Sequence, residues 1–256
     1  MDFSYSDEQQ ALLDLAAQIL GDRATPERLK QLERSGAPRF DADLWGELAR
    51  AGLLGIGIPE ALGGSGFGFL EAAGVIEQIG RRTAPVPYLE TVVMGALPLV
   101  AFGTEAQQRE LLPRIAAGEL VLTAALVEPE GDPLRPVARA EAAGAGWRLS
   151  GVKLAVPYAE VAQRVLVPAA AADGKVGLFF VDPTAAGVTL TPLQTTSGVP
   201  EAMMTLDGVA VGEGDRLGSP DEGAAVLAWI LERVNAAQAS LALGVCAEAL
   251  HLTAEY

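Results

Sequence analysis

The chain has 256 residues, half of them hydrophobic, and a formal net charge of −15. This length suffices for one large domain or two small ones with cores of their own. The acidic balance excludes a role in gripping nucleic acid, because such proteins need a basic face.

Cysteine usage and the hydropathy pattern favour the cytoplasm. The single cysteine, Cys246, cannot form an internal disulfide, which fits a reducing compartment. The first residues lack the basic segment and apolar core of a signal peptide. No apolar run reaches membrane-spanning length, so we expect no membrane partner.

The first 118 residues predict helices. Ser6 and Gln9 form a capping-box pattern, so a helix begins there, and Gly21 is a plausible end. Thr25-Pro26 predicts the start of a second helix. Further helices are predicted over 43–51, 70–81, 92–102 and 104–118. The glycine-rich run 63–68 predicts a tight structural turn, because the strand and the spaced acid of a dinucleotide site are missing.

The middle of the chain predicts short strands separated by turn residues. They cover 120–127, 147–149, 152–156, 164–167, 176–181 and 188–190. Asp207-Gly208 predicts a hairpin between 203–206 and 209–211. Six to eight antiparallel strands at this spacing indicate a small barrel or sandwich. The fold class is therefore α+β.

One long helix is predicted from residue 222 to Tyr256. At about 1.5 Å per residue it would span roughly 50 Å, and a helix of that length belongs in a bundle. Its stripe of Leu241, Val245 and Leu252 would be exposed in a half-bundle. Such a patch promotes association, so we expect an oligomer.

Several segments, in this order and spacing, resemble the acyl-CoA dehydrogenase family. Residues 44–56 (LWGELARAGLLGI), with Pro59-Glu60 and Gly63-Gly64, look like its N-terminal helical domain. Residues 103–105 (GTE) with 112–119 (LPRIAAGE) look like the approach to its β domain. Residues 149–153 (LSGVK) and 207–211 (DGVAV) resemble two strands of that domain.

The resemblance implies three domains. They are an N-terminal α-helical domain at 1–118, a middle β-barrel domain at 119–218, and, at 219–256, the first helix of an incomplete C-terminal four-helix bundle. FAD would lie between the last two. The implied reaction removes the α proton of an acyl-CoA with a carboxylate and passes the β hydride to the flavin.

The resemblance also implies flavin contacts, at six positions: Leu126, Val127, Glu128, Ala155, Val156 and Pro157. This chain departs from the family there. Val127 replaces a threonine, and Ala155 replaces a tryptophan whose ring would lie against the flavin. Pro157 removes a hydroxyl and an amide donor. Residues 130–133 also lack the family's serine. Either the chain binds FAD through other contacts, or it has lost part of the site.

The family's catalytic glutamate usually lies in a C-terminal part that has no counterpart here. Some branches place it on the helix that is present, and anchoring on Gly244 and Tyr256 puts it at Val234. Glu232 is two residues away, about 200° around a helix, so it is only a weak candidate and no catalytic residue is assigned. The only histidine, His251, excludes a two-histidine metal site, and we expect it on the surface of the helix or at an interface.

These observations are compatible with three functions. The first is a FAD-dependent acyl-CoA dehydrogenase that a C-terminal half or a partner completes. The second is a non-catalytic subunit that completes the site of a related chain. The segment 153–157 resembles actinobacterial members that act in heteromeric pairs on steroid side-chain CoA thioesters, within fatty acid or steroid catabolism. The third, a helical lipid-binding or scaffold module, leaves the family-like segments unexplained.

Overall fold

The computed structural model describes residues 4–172 and 174–255. Met1, Asp2, Phe3, Asp173 and Tyr256 lie outside these ranges. The segment 172–174, predicted as a turn between two strands, therefore lies partly outside the described residues. The predicted helix end at Tyr256 lies outside them as well. In the described ranges, no helix combines the length and the apolar character that crossing a membrane requires.

The N-terminal part consists of helices, as the capping residues predict. They are α1 (Asp7–Arg23), α2 (Pro26–Arg34), α3 (Ala42–Arg50) and α4 (Phe69–Arg82). The amide of Gln9 donates to Ser6 Oγ over 3.2 Å, and Thr25 caps α2 in the same way. Helix α1 continues through Gly21, so the predicted end there is wrong by two residues.

The predicted turn at 63–68 is confirmed. Gly63 lies in the left-handed region at φ 86°, and the amide of Gly66 donates to the carbonyl of Ile58 over 2.9 Å. A side chain at Gly64 would overlap backbone atoms of Ile58, so the turn needs a residue without a Cβ there. Helix α4 begins directly after this segment, and the turn is structural.

The helix predicted at 92–102 begins earlier and changes its winding. A π-helix (Leu89–Ala96) runs directly into α5 (Leu97–Phe102), and α6 (Glu105–Ala116) comes next. Pro98 has no N–H for an α-helical bond to Met94, which fits the departure from α geometry just before it. The wide π turn was not predicted, because hydrophobic spacing alone does not distinguish it from an α turn.

Eight strands form one sheet. They are β1 (Leu122–Ala124), β2 (Arg139–Ala143), β3 (Gly146–Pro157), β4 (Arg164–Ala171), β5 (Val176–Val181), β6 (Val188–Leu193), β7 (Glu201–Gly212) and β8 (Arg216–Leu217). The order is β6-β7-β3-β2-β4-β5-β8, and β1 pairs with β4. The sheet is mainly antiparallel, as predicted, but β1 and β2 each run parallel to β4.

The two halves of this sheet pack on each other around a shared core. The ring of Trp147 on β3 lies 5.6 Å from that of Phe179 on β5. The sheet therefore bends back on itself near β2, which joins the two halves. Strands that face each other in this way bury the apolar side chains between them.

The predicted hairpin at Asp207-Gly208 is wrong. These residues lie inside the single strand β7, where they form a bulge opposite Ser150. Gly208 has φ 61°, and its amide donates to Ser150 Oγ over 3.2 Å. A glycine with positive φ serves a bulge as well as a turn, so the dipeptide alone does not decide between them.

Helix α7 (Gly223–Glu255) packs closely against α4. A methyl group at Gly244 would overlap the carbonyl oxygen of Glu77, and one at Gly80 would overlap that of Leu241. The predicted exposed stripe therefore needs one correction, because Leu241 is half-buried at this crossing. The domain limits at residues 118 and 218 stay a prediction.

Candidate functional site

A short bridge brings together the two segments in which all six flavin positions were predicted. The amide of Leu154, on β3, donates to the carbonyl of Val127 over 2.9 Å. Leu126, Val127 and Glu128 therefore lie beside Ala155 and the end of β3. Segments far apart in sequence meet here because β1 and β3 belong to one curved sheet.

A bulge in β3 shapes the second segment. Lys153 pairs with Met204, and Val156 pairs with Ala202. Between these pairs, Leu154 and Ala155 on β3 lie opposite the single residue Met203 on β7. Ala155 takes φ 48°, and Tyr158 takes φ 52°. Left-handed backbone is uncommon for residues other than glycine and often marks functional sites. The bulge thus sets Ala155 apart from the regular ladder at one of the predicted flavin positions.

The six predicted residues divide by exposure. Leu126 and Val156 are buried in the core, so their side chains expose little surface to a ligand. Val127 is 46% exposed, and Ala155 and Pro157 are partly exposed. We call these three residues the apolar shelf. A shelf of this kind can contact the face of an aromatic ring, whereas the polar contacts must come from backbone groups.

The carboxylate of Glu128 is turned inward and fully engaged. Lys153 Nζ donates to it over 2.6 Å, and the amides of Val137 and Ala138 donate over 2.5 and 3.0 Å. Burial alone would raise the pKa of Glu128, but these hydrogen bonds outweigh it and hold the pKa below its ordinary value. Burial lowers the pKa of Lys153, and the bond to Glu128 opposes that shift.

These residues fit the ring of a flavin better than its diphosphate. The enclosed cavity between Leu126 and Lys153 has a volume of about 30 Å³, enough for a water molecule but not for a tricyclic ring. This cavity cannot hold a flavin ring, so a ring bound by these residues would have to lie over their exposed surface. Lys153, the one cation in segments 126–128 and 153–157, is committed to Glu128, so a diphosphate would need donors from elsewhere.

A second polar cluster next to this site was not predicted. Glu90 lies on the π-helix, half-buried, close enough to Tyr158 to affect the pKa of that residue and close enough to Glu201 for Glu201 to affect its own. Burial, with a smaller contribution from Glu201, raises the pKa of Glu90 to about 7. Burial also raises the pKa of Tyr158. Since Glu201 pairs with Pro157 across β7 and β3, this cluster adjoins the shelf.

A signal for Glu90 was present in the sequence. It is the only charged residue between Arg82 and Glu105. A lone acid in a long uncharged stretch of helix must be either solvated at one exposed point or buried with a shifted pKa. Sequence alone does not distinguish these cases, because the elements that pack around the π-helix decide which one holds.

The weak catalytic candidate lies in solvent. Glu232 is exposed on α7, while Val234, the aligned position of the family's base, is buried with 5% exposure. Between them, Arg233 stacks over the ring of Trp229 at 3.5 Å. Glu232 remains a prediction. His251 is exposed beside Glu255, and the described ranges contain no group of three potential metal ligands.

Comparison with known proteins identifies the family. The family model described as "Acyl-CoA dehydrogenase, N-terminal domain" matches residues 6–119. Acyl-CoA dehydrogenases FadE27 and FadE28 of Mycobacterium tuberculosis are 36% and 37% identical to the chain, which aligns over all of its length with 66% of each. The chain belongs to the acyl-CoA dehydrogenase family. It spans just under two thirds of the length of these relatives.

Solved structures agree with this assignment. The ChsE4-ChsE5 complex from Mycobacterium tuberculosis matches with a TM-score of 0.92 and 36% identity, over 100% of this chain and 68% of that chain. The Tcur3481-Tcur3483 steroid ACAD matches with a TM-score of 0.89 and 43% identity, over 98% and 66%. An acyl-CoA dehydrogenase complexed with FAD from Bacillus anthracis matches with a TM-score of 0.88 and 26% identity, over 99% and 45%.

Proposed function

We propose that this chain is a FAD-binding subunit of an acyl-CoA dehydrogenase that forms an α,β double bond in an acyl-CoA thioester. The observation that carries the proposal is the Val127–Leu154 bridge, which assembles the apolar shelf from two distant segments. Similarity to FadE27 and to the steroid ACAD supports a substrate from fatty acid or steroid catabolism.

In this proposal the chain supplies binding and orientation. Bound FAD would supply the acceptor for the hydride. Val127, Ala155 and Pro157 would contact the face of the ring and exclude water from it. Backbone groups at the β3 bulge, held by the bridge from Leu154 to Val127, would orient its polar edge. The bulge is rigid because Val156, directly after it, is fully buried.

The base that removes the α proton would come from another part of the assembly. Val234 cannot accept a proton, and Glu232 is exposed on the helix α7. We therefore assign the base to a partner chain of the same family or to a C-terminal region like that of the longer relatives. The two-component ChsE4-ChsE5 and Tcur3481-Tcur3483 structures support a hetero-oligomer. A cytoplasmic location is part of this proposal, and the lone Cys246 is consistent with it.

The test measures flavin binding on the shelf. The chain is purified alone and together with a family partner, and FAD binding is followed by quenching of flavin fluorescence. Val127→Glu puts a charge on the shelf and should abolish binding. Leu193→Glu, at a comparably exposed position on the edge strand β6, is the control and should bind like the unmodified chain. Equal binding by both variants would refute the proposal.

Activity is tested separately, by anaerobic bleaching of the flavin absorption band on addition of an acyl-CoA. We expect bleaching only when the chain is combined with the partner that carries the base. Bleaching by the isolated chain would contradict the assignment of the base to another component.

A second candidate is a non-catalytic subunit that completes a partner's site without holding FAD itself. Ala155 and Pro157, where the family has aromatic and hydroxyl groups, favour it, and so does the committed Lys153. In that case flavin would co-purify with the partner, and Val127→Glu would leave its amount unchanged.

A further inference from the structure

Glu128 and Lys153 form an ion pair that is almost completely buried. The side chain of Lys153 is 1% exposed and that of Glu128 is 8% exposed. Lys153 Nζ donates to the carboxylate over 2.6 Å and to the carbonyl of Pro168, on β4, over 2.7 Å. Both charged groups are therefore held by several partners and have little contact with solvent.

Such a pair is a poor means of stabilising a fold. Removing two charges from water is costly, and the attraction between them does little more than repay that cost. Apolar side chains of similar volume often stabilise as well or better. A buried pair with this many hydrogen bonds is better explained by the geometry that it imposes.

The pair connects four backbone segments at one point. Glu128 directly follows Val127 of the shelf, and Lys153 precedes the bulge at Ala155. The amides of Val137 and Ala138 close the loop 129–136 onto the same carboxylate. The carbonyl of Pro168 adds β4. Val127 and Leu154 are the direct neighbours of Glu128 and Lys153 in sequence. The hydrogen bond between Leu154 and Val127 therefore depends on the ion pair holding these two segments side by side.

The loop between these anchors is held mainly at its ends. Residues 129–135 are exposed, and their hydrogen bonds, such as Leu134 N to Asp132 Oδ1 over 2.9 Å, are local. Without the carboxylate, the amides of Val137 and Ala138 would lose their acceptor. The loop would then be free to move over the apolar shelf.

We infer that Glu128 and Lys153 are positioning residues that hold both flavin-facing segments and the loop 129–136 in register. The expected effect on FAD binding rests on the proposed function. The effect on the position of the backbone segments can be tested without FAD. Neither side chain is free to contact the flavin, so both act through the backbone they align.

The test compares three variants of the chain. Lys153→Met removes the donor and leaves an unpaired buried carboxylate. The double variant Lys153→Met with Glu128→Gln removes both charges. Arg28→Met is the matched control, because Arg28 donates to Asp41, whose side chain is 3% exposed, over 2.7 and 2.8 Å on the N-terminal helices.

The first readout is hydrogen exchange at the amides of Val137 and Ala138. A lost hydrogen bond of about 1.4 kcal/mol corresponds to about tenfold faster exchange at these amides. Without the Nζ donor the Glu128 carboxylate is no longer fixed against these amides, so we expect this in Lys153→Met and in the double variant, beyond any change in global stability. Arg28→Met should lower Tm without selective exchange there. The inference is overturned if these two amides exchange as slowly in Lys153→Met as in the unmodified chain. It is also overturned if Lys153→Met speeds exchange uniformly along the chain, as Arg28→Met should.

The second readout is the Kd for FAD. Loss of one hydrogen bond to the flavin corresponds to about tenfold in affinity, so we expect the Kd to rise by about that factor in Lys153→Met. In the double variant Tm should recover, since no unpaired charge remains, while the Kd stays high. Recovery of both would mean that the pair acts only through stability, and would overturn the inference. If the unmodified chain binds no FAD, the proposed function fails and hydrogen exchange alone decides.

Discussion

Glu90 is a residue whose protonation should set how stability depends on pH. Its folded-state pKa of about 7 lies above the ordinary 4.5 because the carboxyl is buried. Between these values the folded protein holds a proton that the unfolded chain has released. Stability therefore falls as pH rises through this window and stops falling above about pH 7.

We predict that Glu90→Gln removes this dependence. Each pH unit of the window, which runs from 4.5 to about 7, is worth about 1.4 kcal/mol, so the variant should be more stable than the unmodified chain by roughly 3 to 4 kcal/mol at about pH 8. At about pH 4 the side chain at position 90 is neutral in both the unmodified chain and the variant, so their free energies of unfolding should be nearly equal. Urea unfolding at both pH values measures the difference.

The control is Glu130→Gln, because Glu130 is exposed on the loop 129–136. It should leave the slope of stability against pH unchanged. A Glu90→Gln variant that is equally or less stable at about pH 8 would show that Glu90 is ionised and stabilised in the folded protein.

Val127 allows a test in which a family feature is restored. Val127→Thr replaces a methyl by a hydroxyl at a position that is 46% exposed, so the substitution should barely change Tm. If the shelf holds the flavin, the hydroxyl adds one hydrogen bond of about 0.5–1.5 kcal/mol. The Kd for FAD should then fall about two- to tenfold. An unchanged Kd would place the flavin away from this side chain.

Local signals in the sequence predicted the helix caps well, but they did not predict which side chains form long-range ion pairs. Ser6, Thr25 and Thr104 accept hydrogen bonds from residues three positions on, and such short-range patterns are readable directly. Glu128 was predicted near the flavin for the type of residue expected there, whereas its partner Lys153 was not recognised. That pairing depends on how β1 and β3 meet in the sheet.

At the scale of elements, two glycines let α4 and α7 cross closely. Gly80 faces the backbone of Leu241, and Gly244 faces that of Glu77. A Cβ at either position would overlap a carbonyl oxygen, which belongs to a helix backbone and cannot rotate away. The position of α7 therefore depends on these residues being glycine.

We predict that Gly244→Ala destabilises the protein by about 1 to 3 kcal/mol, the usual range for overpacking, because the helices must separate. Gly21→Ala on α1 is the matched control, since its added methyl would have only the Arg82 side chain within reach, at 3.9 Å. That change should stabilise by up to about 1 kcal/mol through helix propensity. Denaturant unfolding measures the free energy of unfolding of both variants. Equal changes in the two would contradict the close contact between α4 and α7 at Gly244.

Strands were less predictable than helices. The segments of β3 and β7 rich in Val, Leu and Met were found, but Gly151 and Asp207-Gly208 were interpreted as breaks. Both lie at bulges inside long strands, where glycine is required by a positive φ or by a close neighbour, Ala138 in the case of Gly151. Strand β2 was missed because Ala140 is its only buried side chain, so it lacks an apolar alternation.

At the scale of the whole molecule, helix α7 joins the helical and sheet regions. It packs against α4 on one side and against β5 near its start, where Gly223 approaches the carbonyl of Val176. The site formed by β1 and β3 is thus fixed to the helices through a continuous core. A change that displaces α7 can therefore reach the apolar shelf through packed side chains.

We expect the face of α7 that carries Leu243 and Leu250 to mediate association with a second chain. These residues are 57% and 71% exposed, and because they lie seven positions apart they share one side of the helix. Exposed apolar side chains in such a row favour contact with a second surface. In the predicted stripe, Val245 and Leu252 are exposed as expected, at 43% and 60%, whereas Leu241 packs at the crossing with α4.

We predict that the double variant Leu243→Glu with Leu250→Glu lowers the mass measured by light scattering, alone or with a family partner, without lowering Tm. Both side chains lie in water in the isolated chain, so charges there cost the fold little, whereas a contact would bury them unpaired. Leu70→Glu on α4, where the side chain is 55% exposed, controls for added charge and should leave the mass unchanged. An unchanged mass in the double variant would mean that association uses another surface, and would separate oligomer formation from the packing of α7.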